Sequence, residues 1–243
     1  MRLVWLELRA AARRRLRNPL APFFEGAVAG GLLLLIERVL PPGAEGRAAA
    51  QVMFIASLLA LPALQGLHRL ISEEAASGTL ETLIQVPAGP VKAFLARDIA
   101  SMLSIALALP SLFAVLHAFS EVAPSAFARY ALPIVAMRAG LTGMGISLGS
   151  VTLLTRRTGA VVNAMSIIMV VTSLGAGYGR GLLAFLAGLS PQGYLAMGIY
   201  SGRDPAGMLP GIVLLSAVWI ATGLTLYNLA VRRARKFGLL INY

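Results

Sequence analysis

Cysteine is absent from the 243-residue sequence, which excludes disulfides, thiolate metal sites and a cysteine nucleophile. Histidine occurs twice, at His68 and His117. Without thiolates that is too few for a conventional zinc site. The two lysines are Lys92, after Val91, and Lys236, after Arg235. A Walker A loop requires Gly-Lys-Ser/Thr, because the lysine must reach the phosphates and the hydroxyl must bind magnesium. Neither lysine has that context, so no nucleotide site of this kind is expected. Charge is scarce altogether, at 13% of residues, about half the usual share in soluble domains.

What fills the sequence instead is apolar. Hydrophobic residues make up 58% and the mean hydropathy is +0.78, so lipid is the expected solvent for much of the chain. The net charge of +11 raises nucleic-acid binding as an alternative. The arginines argue against it, because they cluster at the ends of apolar runs, where cytoplasmic loops of membrane proteins are basic. A cleavable signal peptide is not expected either, since Arg2, Glu7, Arg9 and the Arg13–Arg17 cluster interrupt any apolar core.

The pattern predicts an all-α integral membrane protein, a single domain over 1–243 with six transmembrane helices. Residues 1–19 read as an amphipathic interfacial helix, with Leu3, Trp5, Leu6 and Leu8 on its apolar side and arginines on the other. Six spans of about 20 apolar residues are expected. They are Pro22–Leu40, Ala48–Leu70 with a kink at Pro62, Ile99–Phe119 with Pro110 inside, Tyr130–Leu154, Ala160–Tyr178 and Gly211–Val231. Between the second and third lies the polar connector Ile71–Lys92, which holds three of the ten acids, Glu73, Glu74 and Glu81. After it, Val91, Phe94, Leu95 and Ile99 are expected on one face, opposite Lys92, Arg97 and Asp98, as a second interfacial element. Glu121–Arg129 is expected as an outside loop. Residues 179–210 are expected to form an outer re-entrant or interfacial hairpin, broken at Ser190-Pro191-Gln192-Gly193.

With six spans and both termini on the same side, fifteen of the 21 Lys and Arg residues fall on the terminal side and five on the other, with Arg138 inside the fourth span. The positive-inside rule then assigns both termini, and the 71–92 connector, to the cytoplasm.

Candidate chemistry is sparse. Glu73-Glu74 with Phe113-xxx-His117 partly matches intramembrane prenyl-protein endopeptidases, but Gly78 stands where that pattern needs Arg and no later His follows. Thr142, Ser147, Ser150 and Thr152 in the fourth span, and Asn163, Ser166, Thr172 and Ser173 in the fifth, read first as helix-packing groups bonded back to carbonyls. Glu25, Arg138, Asn163 and Ser166 are the candidate substrate-pathway residues, because polar groups at membrane depth are costly. Gly26 and Gly30, and Gly145 and Gly149, are spaced for close helix approach.

The connector carries the most specific pattern. Glu73-Glu74, then Ser77-Gly78-Thr79-Leu80-Glu81-Thr82-Leu83, closed by Pro87, resembles the cytoplasmic loop of ABC type-two transporter permeases. Arg17-Asn18-Pro19 after an amphipathic helix, six spans, a broken outer hairpin and a basic tail are similar too. The resemblance implies the membrane subunit of an ATP-driven exporter in a prokaryotic plasma membrane. It also implies a dimer with a second permease copy or homologue, and separate cytoplasmic ATPase subunits that hold ATP and magnesium. No cofactor and no enzymatic activity are implied for this chain. In that reading 71–92 is the coupling loop, carried by Glu73, Glu74, Gly78, Thr79, Leu80, Glu81, Leu83 and Ile84: Leu80, Leu83 and Ile84 form an apolar face for the ATPase, and Glu81 supplies a charge for basic groups on it. Thr79 is also suited to cap a following helix. A second resemblance within the superfamily is to the haem exporter permease of cytochrome c maturation, through Asn18-Pro19-Leu20, Phe23-Phe24 and Arg156-Arg157-Thr158-Gly159. The alternative of another class is a non-transporting membrane scaffold.

Overall fold

The computed structural model describes residues 44–80, 82, 89–119, 124–154, 159–175, 185 and 187–236, with Arg9 and Val28 as single helical positions. The expected interfacial helix 1–19 and first span, with Glu25, Gly26 and Gly30, otherwise lie outside the described residues.

Six helices make up the described part: α1 Ala44–Ala76, α2 Gly89–Phe119, α3 Pro124–Leu154, α4 Gly159–Gly175, α5 Pro191–Tyr200 and α6 Pro205–Lys236. Among the described residues there is no strand. Proline marks the starts, at Pro90, Pro124, Pro191 and Pro205, where a missing N–H costs no helical bond. Within α1, α2, α3 and α6 it recurs as Pro62, Pro110, Pro133 and Pro210 without ending the helix.

Three stretches are long and apolar enough to cross a membrane: Ala49–Ala76, Phe127–Leu154 and Pro205–Ala234, of 28, 28 and 30 residues. At 1.5 Å per residue each exceeds the roughly 30 Å of hydrocarbon in a bilayer. Their surroundings differ. The most apolar windows of the first two are 71% and 67% buried within the protein, that of the third only 17%. The inward stripe of α6 is Met208, Ile212, Ser216, Tyr227 and Ala230, while Val213, Leu214, Val218 and Leu229 point outward. An apolar outer surface of this extent is costly in water and costs nothing in lipid.

α3 is the central helix, packed on α6 along one side and on α1 along another. Glycine permits both contacts. A Cβ on Gly143 would stand 2.5 Å from the backbone N of Ile220, and one on Gly223 would strike the Gly143 carbonyl. On the other side Gly145 and Gly149 abut Ala63 and Leu67 of α1, as their spacing predicted. One core, near Met53, Leu64, Met137, Leu141 and Leu195, fills the middle of the bundle. A second, around Leu67, Ile71, Phe94, Leu153 and Tyr227, fills the end next to the α1–α2 loop.

Several boundaries differ from expectation: α3 starts at Pro124, inside the expected outside loop Glu121–Arg129, and α6 starts at Pro205, inside the expected hairpin 179–210. The second span was expected to end at Leu70, but α1 runs on to Ala76. Ser72 to Ala76 are polar or small, yet helix formation depends on backbone bonding; Ser72, Glu73 and Ala76 are exposed, while Glu74 and Ala75 are half-buried. Of the expected connector 71–92, Ile71–Ala76 thus belong to α1 and Gly89–Lys92 to α2. Ser190-Pro191-Gln192-Gly193 breaks the preceding segment as expected, with a turn at Leu189 and a bend at Ser190, and it also starts a new helix. The Ser190 hydroxyl caps α5 by accepting from Gly193 N at 2.9 Å, and Pro191 takes the first helical position.

Helix α5 is short but buried, with Gln192, Leu195, Ala196 and Ile199 inside. Its first turn meets the midpoints of longer helices. Gln192 Nε2 donates to Ser57 Oγ of α1 at 2.9 Å, and Trp219 Nε1 of α6 donates to the Leu189 carbonyl at 2.9 Å. Its far end, at Tyr200 and Gly202, lies with Ala49 and Tyr130 at the end of the bundle away from the α1–α2 loop.

Candidate functional site

The end of α1 is built around Gly78. Gly78 has φ 71, a conformation that side-chain-bearing residues rarely adopt. Thr79 N donates to the Glu74 carbonyl at 2.9 Å and Gly78 N to that of Ala75 at 3.2 Å. These are the two bonds of a Schellman C-cap, which satisfy carbonyls that the helix end leaves open. The Thr79 hydroxyl donates back to the Glu74 carboxylate. Thr79 therefore helps close α1, and Leu80 directly after it is helical again.

The two acids before this cap are bound within the chain. Arg97 of α2 reaches Glu73 Oε2 at 3.0 Å through Nη1 and Glu74 Oε1 at 3.2 Å through Nη2. Both pairs are partly exposed, so each adds about 0–1 kcal/mol to stability. Leu80 is 3% exposed and packs into the core with Ile71, Val91 and Phe94. It anchors the loop to the bundle and is not on the outer surface with the polar residues around it. Glu81, Leu83 and Ile84 lie outside the described residues.

The neighbour of Arg97 in sequence extends the connection inward. Asp98 Oδ1 pairs with Arg138 Nη2 of α3 at 2.5 Å, with side chains 10% and 5% exposed. Arg138 Nη2 also lies 3.3 Å from Ser101 Oγ, and Thr142 Oγ1, which donates to the Arg138 carbonyl at 3.1 Å, lies 3.4 Å from Asp98 Oδ2. Arg138 Nη1 is buried with no hydrogen-bond partner among the described residues. Two opposite charges in a dry interior neutralise each other, and loss of one partner costs far more than loss of both.

This corrects the face assigned to the start of α2. Leu95 and Ile99 are exposed, while Val91, Phe94 and Ala100 are buried. Asp98 stands seven residues after Val91 and four after Phe94, so one helical face holds all three. Phe94 sets the contact with α1, because its ring fills the space where Gly66 has no side chain. A cavity of about 190 Å³ lies beside it, lined by Arg69, Glu73, Arg97, Asp98 and Ser101 among others.

The same half of α1 makes further polar contacts. Gln65 Nε2 donates to Ser166 Oγ of α4 at 2.9 Å, and Arg69 Nη2 donates to Gln65 Oε1 at 2.6 Å. His68 Nδ1 is 3.0 Å from Thr152 Oγ1 of α3. Thr142, Ser147, Ser150, Thr152 and Ser166 all donate to the carbonyl four residues earlier, the packing role expected of them.

The candidate pathway residues are not gathered into one site. Arg138 is tied to α2, Ser166 to α1, and Asn163 is exposed on α4. Glu25 lies outside the described residues. The contacts that sequence reasoning missed are those of Arg97 and Asp98. A usable signal existed: Asp98 and Arg138 are opposite charges in adjacent apolar segments, where such groups pair.

Comparison with protein-family models, with curated proteins and with solved structures finds no match to this chain.

Proposed function

We propose that the chain is the membrane-spanning permease subunit of an ATP-driven exporter of the ABC type-two class. It works as a dimer with separate cytoplasmic ATPase subunits that bind ATP and magnesium. The reading has six spans, both termini in the cytoplasm of a prokaryotic cell, residues 71–92 as the coupling loop, and α5 as part of an outer re-entrant hairpin.

One observation carries it. The loop with the family-like sequence is joined to the bundle interior by two consecutive residues, Arg97 to Glu73 and Glu74, and Asp98 to Arg138. A push on the loop displaces the end of α1 and, through Arg97, α2. Movement of α2 loads the Asp98–Arg138 pair and hence α3. A conformational cycle requires different contacts in its two states. The Arg138 Nη1 donor supplies one, being available to a partner in the second state. With Leu80 inside the core, the apolar contact with an ATPase falls to Leu83 and Ile84.

The test is retrieval of the tagged protein from its native membrane under conditions that keep it folded, with Arg97→Glu and the exchanged pair Arg97→Glu/Glu74→Arg alongside. An ATPase is expected to co-purify with the wild-type chain. Substrate-stimulated ATP hydrolysis should fall about tenfold or more in Arg97→Glu, a barrier increase of about 1.4 kcal/mol, and recover in part in the exchanged pair. Absence of any ATPase from the folded protein removes the main support and favours a membrane scaffold.

A further inference from the structure

At the bundle end away from the α1–α2 loop, the starts of α1, α3 and α6 and the end of α5 enclose an open groove of about 1180 Å³. Its lining is divided by chemistry. Val52, Leu132 and Leu209 form apolar walls, and Leu132, 62% exposed, continues the outward apolar surface of α3. Arg129, Tyr130 and Arg203 supply donors at the rim, with Asp204 as the one carboxylate. Neither arginine has a carboxylate within salt-bridge distance among the described residues.

We propose that this groove binds an anionic, phosphate-headed lipid from the leaflet at that end of the spans. Arg129 and Arg203 hold the phosphate and the Val52–Leu132–Leu209 wall holds the start of the acyl chains. The position explains the match. Arg129 and Arg203 stand at the beginnings of the long apolar stretches Phe127–Leu154 and Pro205–Ala234, at headgroup level when those stretches cross a bilayer. Guanidinium groups bond phosphate oxygens through two donors at once, which an ammonium does not. The apolar wall, running out to lipid-facing Leu132, selects an amphiphile over a small anion. This inference needs only the membrane-crossing helices and is independent of the exporter reading.

The experiment uses the full chain purified in a neutral maltoside detergent. Binding of dioctanoylphosphatidylglycerol is read from the rise in Tm and from retained lipid in native mass spectrometry. Dioctanoylglycerol and inorganic phosphate are the comparison ligands. Phosphatidylglycerol is expected to bind and stabilise. Arg129→Gln with Arg203→Gln should weaken it about tenfold or more, whereas Arg232→Gln with Arg233→Gln, at the opposite end, should leave it unchanged. Leu132→Asn should reduce lipid binding and leave the weak response to inorganic phosphate as it was. The proposal is overturned if the Arg129 and Arg203 substitutions leave lipid affinity intact, or if dioctanoylglycerol binds as well as the phospholipid. It is also overturned if inorganic phosphate protects as strongly at equal concentration, which would make the groove a small-anion site.

Discussion

At the scale of single residues, the Asp98–Arg138 pair decides most. Both side chains are almost wholly buried, so each is tolerated because the other is present. Arg138→Leu leaves a buried carboxylate and Asp98→Leu a buried guanidinium, and each should cost about 3–5 kcal/mol. The double substitution should recover most of that loss, because no uncompensated charge remains. Thermal unfolding of the four proteins in detergent checks this, and simple additivity of the two losses would show that the groups do not act as a pair. Arg138 was recognisable from sequence as a costly group at membrane depth. Its partner was legible only as an opposite charge next to an adjacent apolar segment, since Asp98 beside Arg97 reads as a polar interfacial flank until the helix is known to run on and the register places it under Phe94.

At the scale of elements, the α3–α6 contact is a backbone approach that glycine alone allows. A side chain at Gly143 meets the backbone of Trp219 and Ile220 at 2.5–2.7 Å, and backbone yields less readily than a flexible side-chain tip. Gly143→Leu should therefore cost about 1–3 kcal/mol or more by overpacking. Gly207→Ala, on the same helix α6 but with open space around it, should stabilise by up to about 1 kcal/mol through helix propensity. Unfolding midpoints in detergent distinguish the two. A tolerated Gly143→Leu would mean that α3 and α6 separate more easily than their packing implies. Gly145 and Gly149 were legible as close-approach positions, but spacing does not name the neighbour. Gly145 and Gly149 meet α1, whereas Gly143 of α3 meets Trp219 and Ile220 of α6, and Gly223 of α6 meets the Gly143 carbonyl.

At the scale of the whole molecule, the α1–α2 loop and the α5–α6 turn stand at opposite ends of the bundle. Each turn follows a helix closed by a glycine of positive φ, Gly78 and Gly202. Ser77 and Ser201 are exposed at these two sites, and the native chain has no cysteine to interfere. Single cysteines placed there should label from opposite sides of sealed membranes, Ser77→Cys from the side of the termini. Labelling of both from the same side would reject the six-span arrangement.

Composition and pattern alone determined that the chain is helical and apolar enough for a membrane, and where polar segments interrupt it. Those properties follow from side-chain hydropathy and local period, which are written residue by residue. Tertiary structure decided what those polar segments do. It extended α1 through the acidic residues, turned Ser190-Pro191 into the cap of a buried helix, drew Leu80 into the core and joined Asp98 to Arg138. Each outcome depends on which faces of separate helices meet, and packing between distant segments sets that register.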